Sequence, residues 1–226
     1  MERYILFVVS IFVLSCIGTL VMADNLQNID PSTILYSAPT IPNQLPPLEQ
    51  FSDKKDTAIF PIHEDNWSSI EFLNRNQLEK LKEVMTEYHK FEAQNRRDIG
   101  WKNVYLRHTE HSSLLEDRRP KHKLLHLLSA NEGNRPIIYS SNKVVGLIEN
   151  GFTVLLGRDV FLYGYTKGSS IIELGVHLGK DPENQSLVSA FSILNKELGL
   201  LLVDWHSQFI LTGINASGQV EMWSPQ

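Results

Sequence analysis

The only cysteine of this 226-residue chain is Cys16, and it lies inside an apolar run near the N-terminus. Met1, Glu2 and Arg3 precede the run, which extends from Tyr4 to Val21. Val21-Met22-Ala23 then places small residues at −3 and −1 of a cut before Asp24. That is the layout of a secretory signal over residues 1–23. Once such a segment is removed, no thiol remains, so no disulfide and no cysteine nucleophile is available. Small exported domains with little core are usually stapled by disulfides. A chain without that option must be held by an ordinary hydrophobic core.

The same run admits two further readings. It approaches the roughly 20 residues that span a bilayer, so it could remain as an uncleaved signal anchor. Val13-Leu14-Ser15-Cys16 also has the look of a bacterial lipobox, which would make Cys16 a lipidation site. Every reading places residues 24–226 beyond a membrane, which they touch only through the N-terminal segment. Export without disulfides favours a bacterial periplasm or cell surface.

The remaining roughly 200 residues suit one typical domain. Hydrophobic residues make up 42% of the chain, which suffices for a core, and the net charge is −5. This is no basic footprint for nucleic acid. The densest basic cluster, Arg118-Arg119-Pro120-Lys121-His122-Lys123, follows Glu116-Asp117 and reads as a solvated loop. Sequons at Asn66, Asn184 and Asn215 are too short to carry weight and read as structural residues.

Residues 24–58 are rich in proline and polar residues. Proline removes amide donors and fixes φ, so this segment reads as a tether or as an arm laid on the domain. One globular domain is expected over residues 59–226. Leu78, Leu81, Val84, Met85, Tyr88 and Phe91 recur at spacings of three and four, which predicts a helix from Gln77 to Arg96, with Asn74 or Asn76 as its cap. A second helix is expected from Asn184 to Leu198, capped by Asp181 or Asn184 and stopped by Gly199. Leu114 to Leu128 is ambiguous, because Pro120 limits how early a helix can begin there.

Gly100 to His108 reads as a strand. From Arg135 onward, short β-branched and aromatic runs alternate with turn residues, and Asn150-Gly151 is a strong hairpin signal. The pattern predicts seven to nine short strands and two or three helices. The fold class is α+β, a single domain built on a mainly antiparallel sheet.

No motif names a reaction. His108, His111, His122 and His126 are the candidate metal ligands, His122 and His126 at helical spacing. The glutamate of H-E-x-x-H is missing, because Lys123 holds its place. Three ligands assemble only if distant segments meet, so neither a metal nor another cofactor is expected. Ser140 and Lys143 form an S-x-x-K spacing between two predicted strands, where no acylase signature follows. Asp204, His206 and Ser207 are neighbours on the chain and cannot form one relay among themselves. Glu64-Asp65 beside Trp67 is the one acid pair next to an aromatic platform, and it reads as a turn.

A binding role fits this pattern better than catalysis. Trp67, Trp101, Tyr163, Tyr165, Trp205 and Trp223 are the candidate anchors for a partner, since large rigid aromatics dominate interface energetics. The expectation is an exported envelope protein that binds another protein, as an inhibitor or immunity-type protein or an assembly factor. The alternative is an envelope hydrolase using His and carboxylate groups. Converging histidines would favour the hydrolase. Dispersed histidines and an exposed apolar patch would favour the binder.

Overall fold

The computed structural model describes residues 35–52 and 58–226. The signal, anchor and lipid readings of residues 1–23, Cys16 included, lie outside the described residues. Among the described residues, no helix is long and apolar enough to cross a membrane. The chain runs β1 (Thr40–Pro42), β2 (Leu48–Glu49), β3 (Ile59–His63), β4 (Ile70–Asn74), α1 (Leu78–Asn95), β5 (Tyr105–Arg107), β6 (Leu115–Glu116), α2 (Pro120–Leu128) and β7 (Asn131–Glu132). It continues through β8 (Arg135–Ser140), β9 (Lys143–Ile148), β10 (Gly151–Gly157), β11 (Val160–Lys167), β12 (Ser170–Leu178), α3 (Asn184–Leu198), β13 (Leu200–Asp204), β14 (Phe209–Ile214) and β15 (Val220–Trp223). This is an α+β domain with mainly antiparallel sheets. The described residues hold more and shorter strands than the sequence pattern suggested.

A nine-stranded sheet forms the centre, in the order β15-β14-β13-β4-β12-β11-β10-β7, with β6 pairing on the end of β12. The alternation of Ile70-Glu71-Phe72-Leu73 decides its two faces. Ile70 and Phe72 turn toward α2 and α3, where Phe191 and Leu194 complete the larger core. Leu73 turns the other way, toward Leu81, Met85 and Tyr88 of α1. Burying side chains such as Phe191 and Leu194 contributes about 1.5–3 kcal/mol each. A smaller sheet, β2-β9-β8-β3, packs Ile62, Ile138 and Ile148 against Trp67 and Tyr163 in a third cluster.

Both long helices stand where their stripes place them, but their caps differ from expectation. Asn74 ends β4 and donates its amide to Ser112 Oγ at 2.9 Å, and a 3-10 turn leads into α1 instead. The start of α3 falls at Glu183, whose carboxylate accepts from Ser186 Oγ. Gly199 closes α3 at φ 66°, as its sequence position implied. α2 begins at Pro120, which sets its earliest start as the sequence implied. A proline at the first helical position loses no hydrogen bond, because that amide has no partner within the helix.

Asn150-Gly151 is not a hairpin. Asn150 adopts φ 53°, but it carries the chain from β9 in the small sheet to β10 in the large one. The tight hairpin lies one turn earlier, where Ser141 and Asn142 both take positive φ between β8 and β9. The strand expected over Gly100–His108 is reduced to β5, which pairs in parallel with β1. Residues 35–52 of the proline-rich segment therefore lie on the domain as an arm, with Thr40 and Pro42 in register with Tyr105 and Arg107.

Candidate functional site

Charged side chains inside apolar strands define the site. Glu71 follows the alternation of β4 onto the α1 face of the sheet, where it is fully buried. Glu173 of β12 lies on the neighbouring strand, two residues before Gly175, which is in register with Glu71. Arg107 ends β5 and is buried above them, 1% exposed. His111, on the segment after β5, brings a half-buried imidazole. One ligand atom each from Glu71, His111 and Glu173 lies within 4.8 Å of the other two.

Each partner of these groups is specific. Trp205 Nε1 donates to Glu71 Oε1 at 2.7 Å. Ser68 Oγ donates to Glu173 Oε1. Arg107 donates to Thr40 Oγ1 at 3.2 Å and to the Ser68 carbonyl at 3.0 Å, and its guanidinium lies 5.2 Å from the Trp205 ring centre. Among the described residues neither glutamate has an ion-pair partner. Glu71 Oε2 and Arg107 Nε are buried and lack hydrogen-bond partners within the protein.

The electrostatics follow from burial. Desolvation pushes the Glu71 carboxyl up, against the pull of His111 and Arg107. Desolvation and the Glu71 charge push Glu173 up to about 8. Arg107 is held below its ordinary value by burial, which its carboxylate neighbours offset only in part. Tyr163, buried beside Glu173, is also pushed well up. Its hydroxyl accepts the Ser68 amide at 2.9 Å and donates to the Asn66 carbonyl at 3.2 Å. These bonds fix the turn that carries Ser68, which itself adopts φ 53°.

Gly175 makes room for that tyrosine. A Cβ at Gly175 would stand 2.3 Å from the Tyr163 ring. Gly175→Ala is therefore expected to displace Tyr163 and to destabilise the fold by about 1–3 kcal/mol. Thermal denaturation checks it; an unchanged melting temperature would show that the ring is not wedged there.

An open cavity of about 560 Å³ adjoins the cluster, with Arg107 in its wall beside Thr40 of the arm, His63, Asp65, Asp204 and His206. Its two carboxylates already hold the backbone or the arm. Asp204 Oδ1 accepts the Ser207 amide at 2.8 Å, and Asp65 Oδ2 accepts from Ser37 Oγ at 2.9 Å. The Asp204-Trp205-His206-Ser207 segment is thus a polar turn between β13 and β14, with Trp205 fully buried. A second cavity of about 420 Å³ is lined by Asp117, Arg119, His122, Lys123 and His126.

The sequence-derived candidates separate. Trp67, Tyr163 and Trp205 are fully buried and offer no side-chain surface to a partner; they are walls of the cluster. Trp101 is half-buried, and its Nε1 donates to Glu92 at 3.2 Å. Tyr165 is half-buried against the third core cluster. Trp223 lies on the edge strand β15, packed against the core under α1. Of the four candidate metal ligands only His111 enters the cluster. His108 is exposed beside Asn43, and His122 and His126 face the second cavity. Glu71, Arg107 and Glu173 belong to no motif that the sequence offers. The signal that marks the latter two is a lone charge in an apolar strand, Tyr-Leu-Arg at 105–107 and Ile-Ile-Glu-Leu at 171–174.

Compared with known protein families, curated proteins and solved structures, the chain matches none.

Proposed function

We propose that this chain is an exported protein that acts beyond a membrane by binding another protein, as an inhibitor or immunity-type protein or an assembly factor. The observation that supports it is the outer strand of the large sheet. Among the described residues β15 pairs with β14 on one side only, so its other side is an open edge. Met222 on this strand is 61% exposed, while Trp223 packs inward and anchors the strand. Open edges invite pairing, and natural proteins use them to accept an extended segment of a partner as an added strand. Main-chain bonds would supply the affinity there, and Met222 a side-chain contact.

Crosslinked capture with the full-length chain, followed by mass spectrometry, tests the reading. One stoichiometric partner is expected. Met222→Lys should lower its capture at least tenfold while shifting stability by no more than about 0.5 kcal/mol, as for most surface changes. Equal capture by the variant would remove the edge from the interface, and no stoichiometric partner would overturn the binding role.

A second reading, an envelope hydrolase, draws on the Glu71–His111–Glu173 cluster, where buried carboxylates with raised pKa values meet an imidazole. Both carboxylates are buried, so a substrate would have to approach from the half-exposed His111 side. Turnover by the pure protein that Glu71→Gln abolishes would favour this reading over binding.

A further inference from the structure

We propose that Glu71, Glu173 and His111 form a binding site for one divalent transition-metal ion, with zinc as the ion that fits best. The three residues come from β4, β12 and the segment after β5, and their ligand atoms converge within 4.8 Å. Two buried carboxylates this close repel each other and need a positive charge or a proton between them. The nearest cation does not supply it directly. Arg107 spends its hydrogen bonds on Thr40 and on the Ser68 carbonyl, and joins neither glutamate in an ion pair.

An independent observation points to a missing partner. Glu71 Oε2 is fully buried and unpartnered, while its twin Oε1 is held by Trp205. A carboxylate oxygen left so in an apolar setting is costly. A cation between Glu71, Glu173 and His111 would satisfy it.

The surrounding shell is arranged as metal ligands require. Each of the three has a hydrogen-bonding group that orients it: Trp205 on Glu71, Ser68 on Glu173, and Thr109 Oγ1 at 3.3 Å from His111 Nε2. In the tautomer that donates Nε2–H to Thr109, the other ring nitrogen would keep its lone pair for a metal. Such outer-shell partners fix the orientation of ligating imidazoles and carboxylates. One nitrogen and two carboxylates suit zinc or a neighbouring transition metal. Calcium takes six to eight oxygens, and magnesium keeps most of its waters. Three protein ligands leave a fourth position for water on the His111 side. Ligand atoms bonded to zinc at about 2.0–2.2 Å stand roughly 3.3–3.6 Å apart, so atoms that lie within 4.8 Å of one another need to close by at most about 1.5 Å. His111, on a segment between short strands, is the ligand placed to move.

The test uses the full-length chain, stripped with chelator and titrated with zinc chloride. One equivalent is expected to bind with micromolar or tighter affinity and to raise the melting temperature. Cobalt in place of zinc should give the visible absorption bands of a four-coordinate site. His111→Ala, at a half-exposed position, should weaken zinc binding at least tenfold and remove those bands. Glu71→Gln should do the same. His122→Ala and His126→Ala should leave both unchanged. Absence of stoichiometric zinc binding in the folded wild type would overturn the proposal, leaving a carboxyl pair that shares a proton. Binding that survives His111→Ala but is lost in His122→Ala or His126→Ala would also overturn it.

Discussion

Replacing Arg107 by methionine is expected to destabilise the fold by about 3–5 kcal/mol, the usual range when one member of a buried charged set is removed. The guanidinium is 1% exposed and donates to Thr40 Oγ1 and the Ser68 carbonyl. Methionine fills much of the volume but leaves that carbonyl without its donor, at about 1–3 kcal/mol for a buried acceptor. It also withdraws the positive charge that lowers the Glu71 and Glu173 carboxyls. For a domain of this size the melting temperature should fall by roughly 6–20 °C. Lysine should rescue only part of the loss, since one ammonium cannot reproduce the two-pronged geometry. Adding Glu71→Gln to Arg107→Met should recover stability, because the uncompensated charge leaves with it. Limited proteolysis gives a local readout: the arm loses its tie through Thr40, so cleavage within residues 35–45 should accelerate. A fall of less than about 3 °C, with an unchanged cleavage pattern, would show that Arg107 does not hold the cluster together.

The elements that the sequence made legible are those in which a single periodicity dominates. The three-and-four spacing from Leu78 to Phe91 could belong only to a helix, and Gly199 marked the end of α3 to the residue. Errors arose where a local rule met a tertiary demand. Asn150-Gly151 has the conformational freedom of a hairpin turn, and Asn150 uses it at φ 53°. Whether the flanking strands then pair depends on which sheet each can join, and β9 is already held by β8 and β2. Pro120 limits how early a helix can begin in Leu114–Leu128, and α2 begins at Pro120 itself. Side-chain caps were expected at both helix starts, but Asn74 is drawn off to Ser112 on another segment.

The candidate site was less legible, because its members share no sequence motif. Glu71, Arg107, His111 and Glu173 are spread over about a hundred residues and meet only after β4 and β12 pair. Large aromatics suggest anchors for a partner, yet Trp67, Tyr163 and Trp205 serve the interior. Their polar edges explain the difference. Trp205 Nε1 and the Tyr163 hydroxyl satisfy buried groups that leucine or phenylalanine could not reach. An aromatic with a polar edge in a strand is as well suited to line a buried polar cluster as to face a partner. The lone charge within an apolar strand is the stronger signal, since Glu and Arg are almost never fully buried without a partner.

In the presence of chelator, the metal-free protein is expected to lose stability as pH rises from about 5 to about 9, and Glu173→Gln should remove most of that loss. Burial and the Glu71 charge raise the Glu173 carboxyl from 4.5 to about 8 in the folded state. Between these values the folded protein retains a proton that the unfolded chain has released. Stability therefore falls as pH increases through this window, by up to about 1.4 kcal/mol per pH unit. Below the unfolded value both states are protonated and the contribution is fully present. Above about 8 both are ionised, and the fold bears the whole cost of a buried carboxylate beside Glu71, on the order of 5 kcal/mol by the same conversion. Glutamine keeps the shape, and its carbonyl can accept from Ser68 as Oε1 does. The variant should therefore match wild type near pH 5 and exceed it near pH 9. Denaturant titrations across this range give the curves directly. Parallel curves for wild type and Glu173→Gln would show that Glu173 titrates alike in both states, so that the cluster does not hold it in the neutral form.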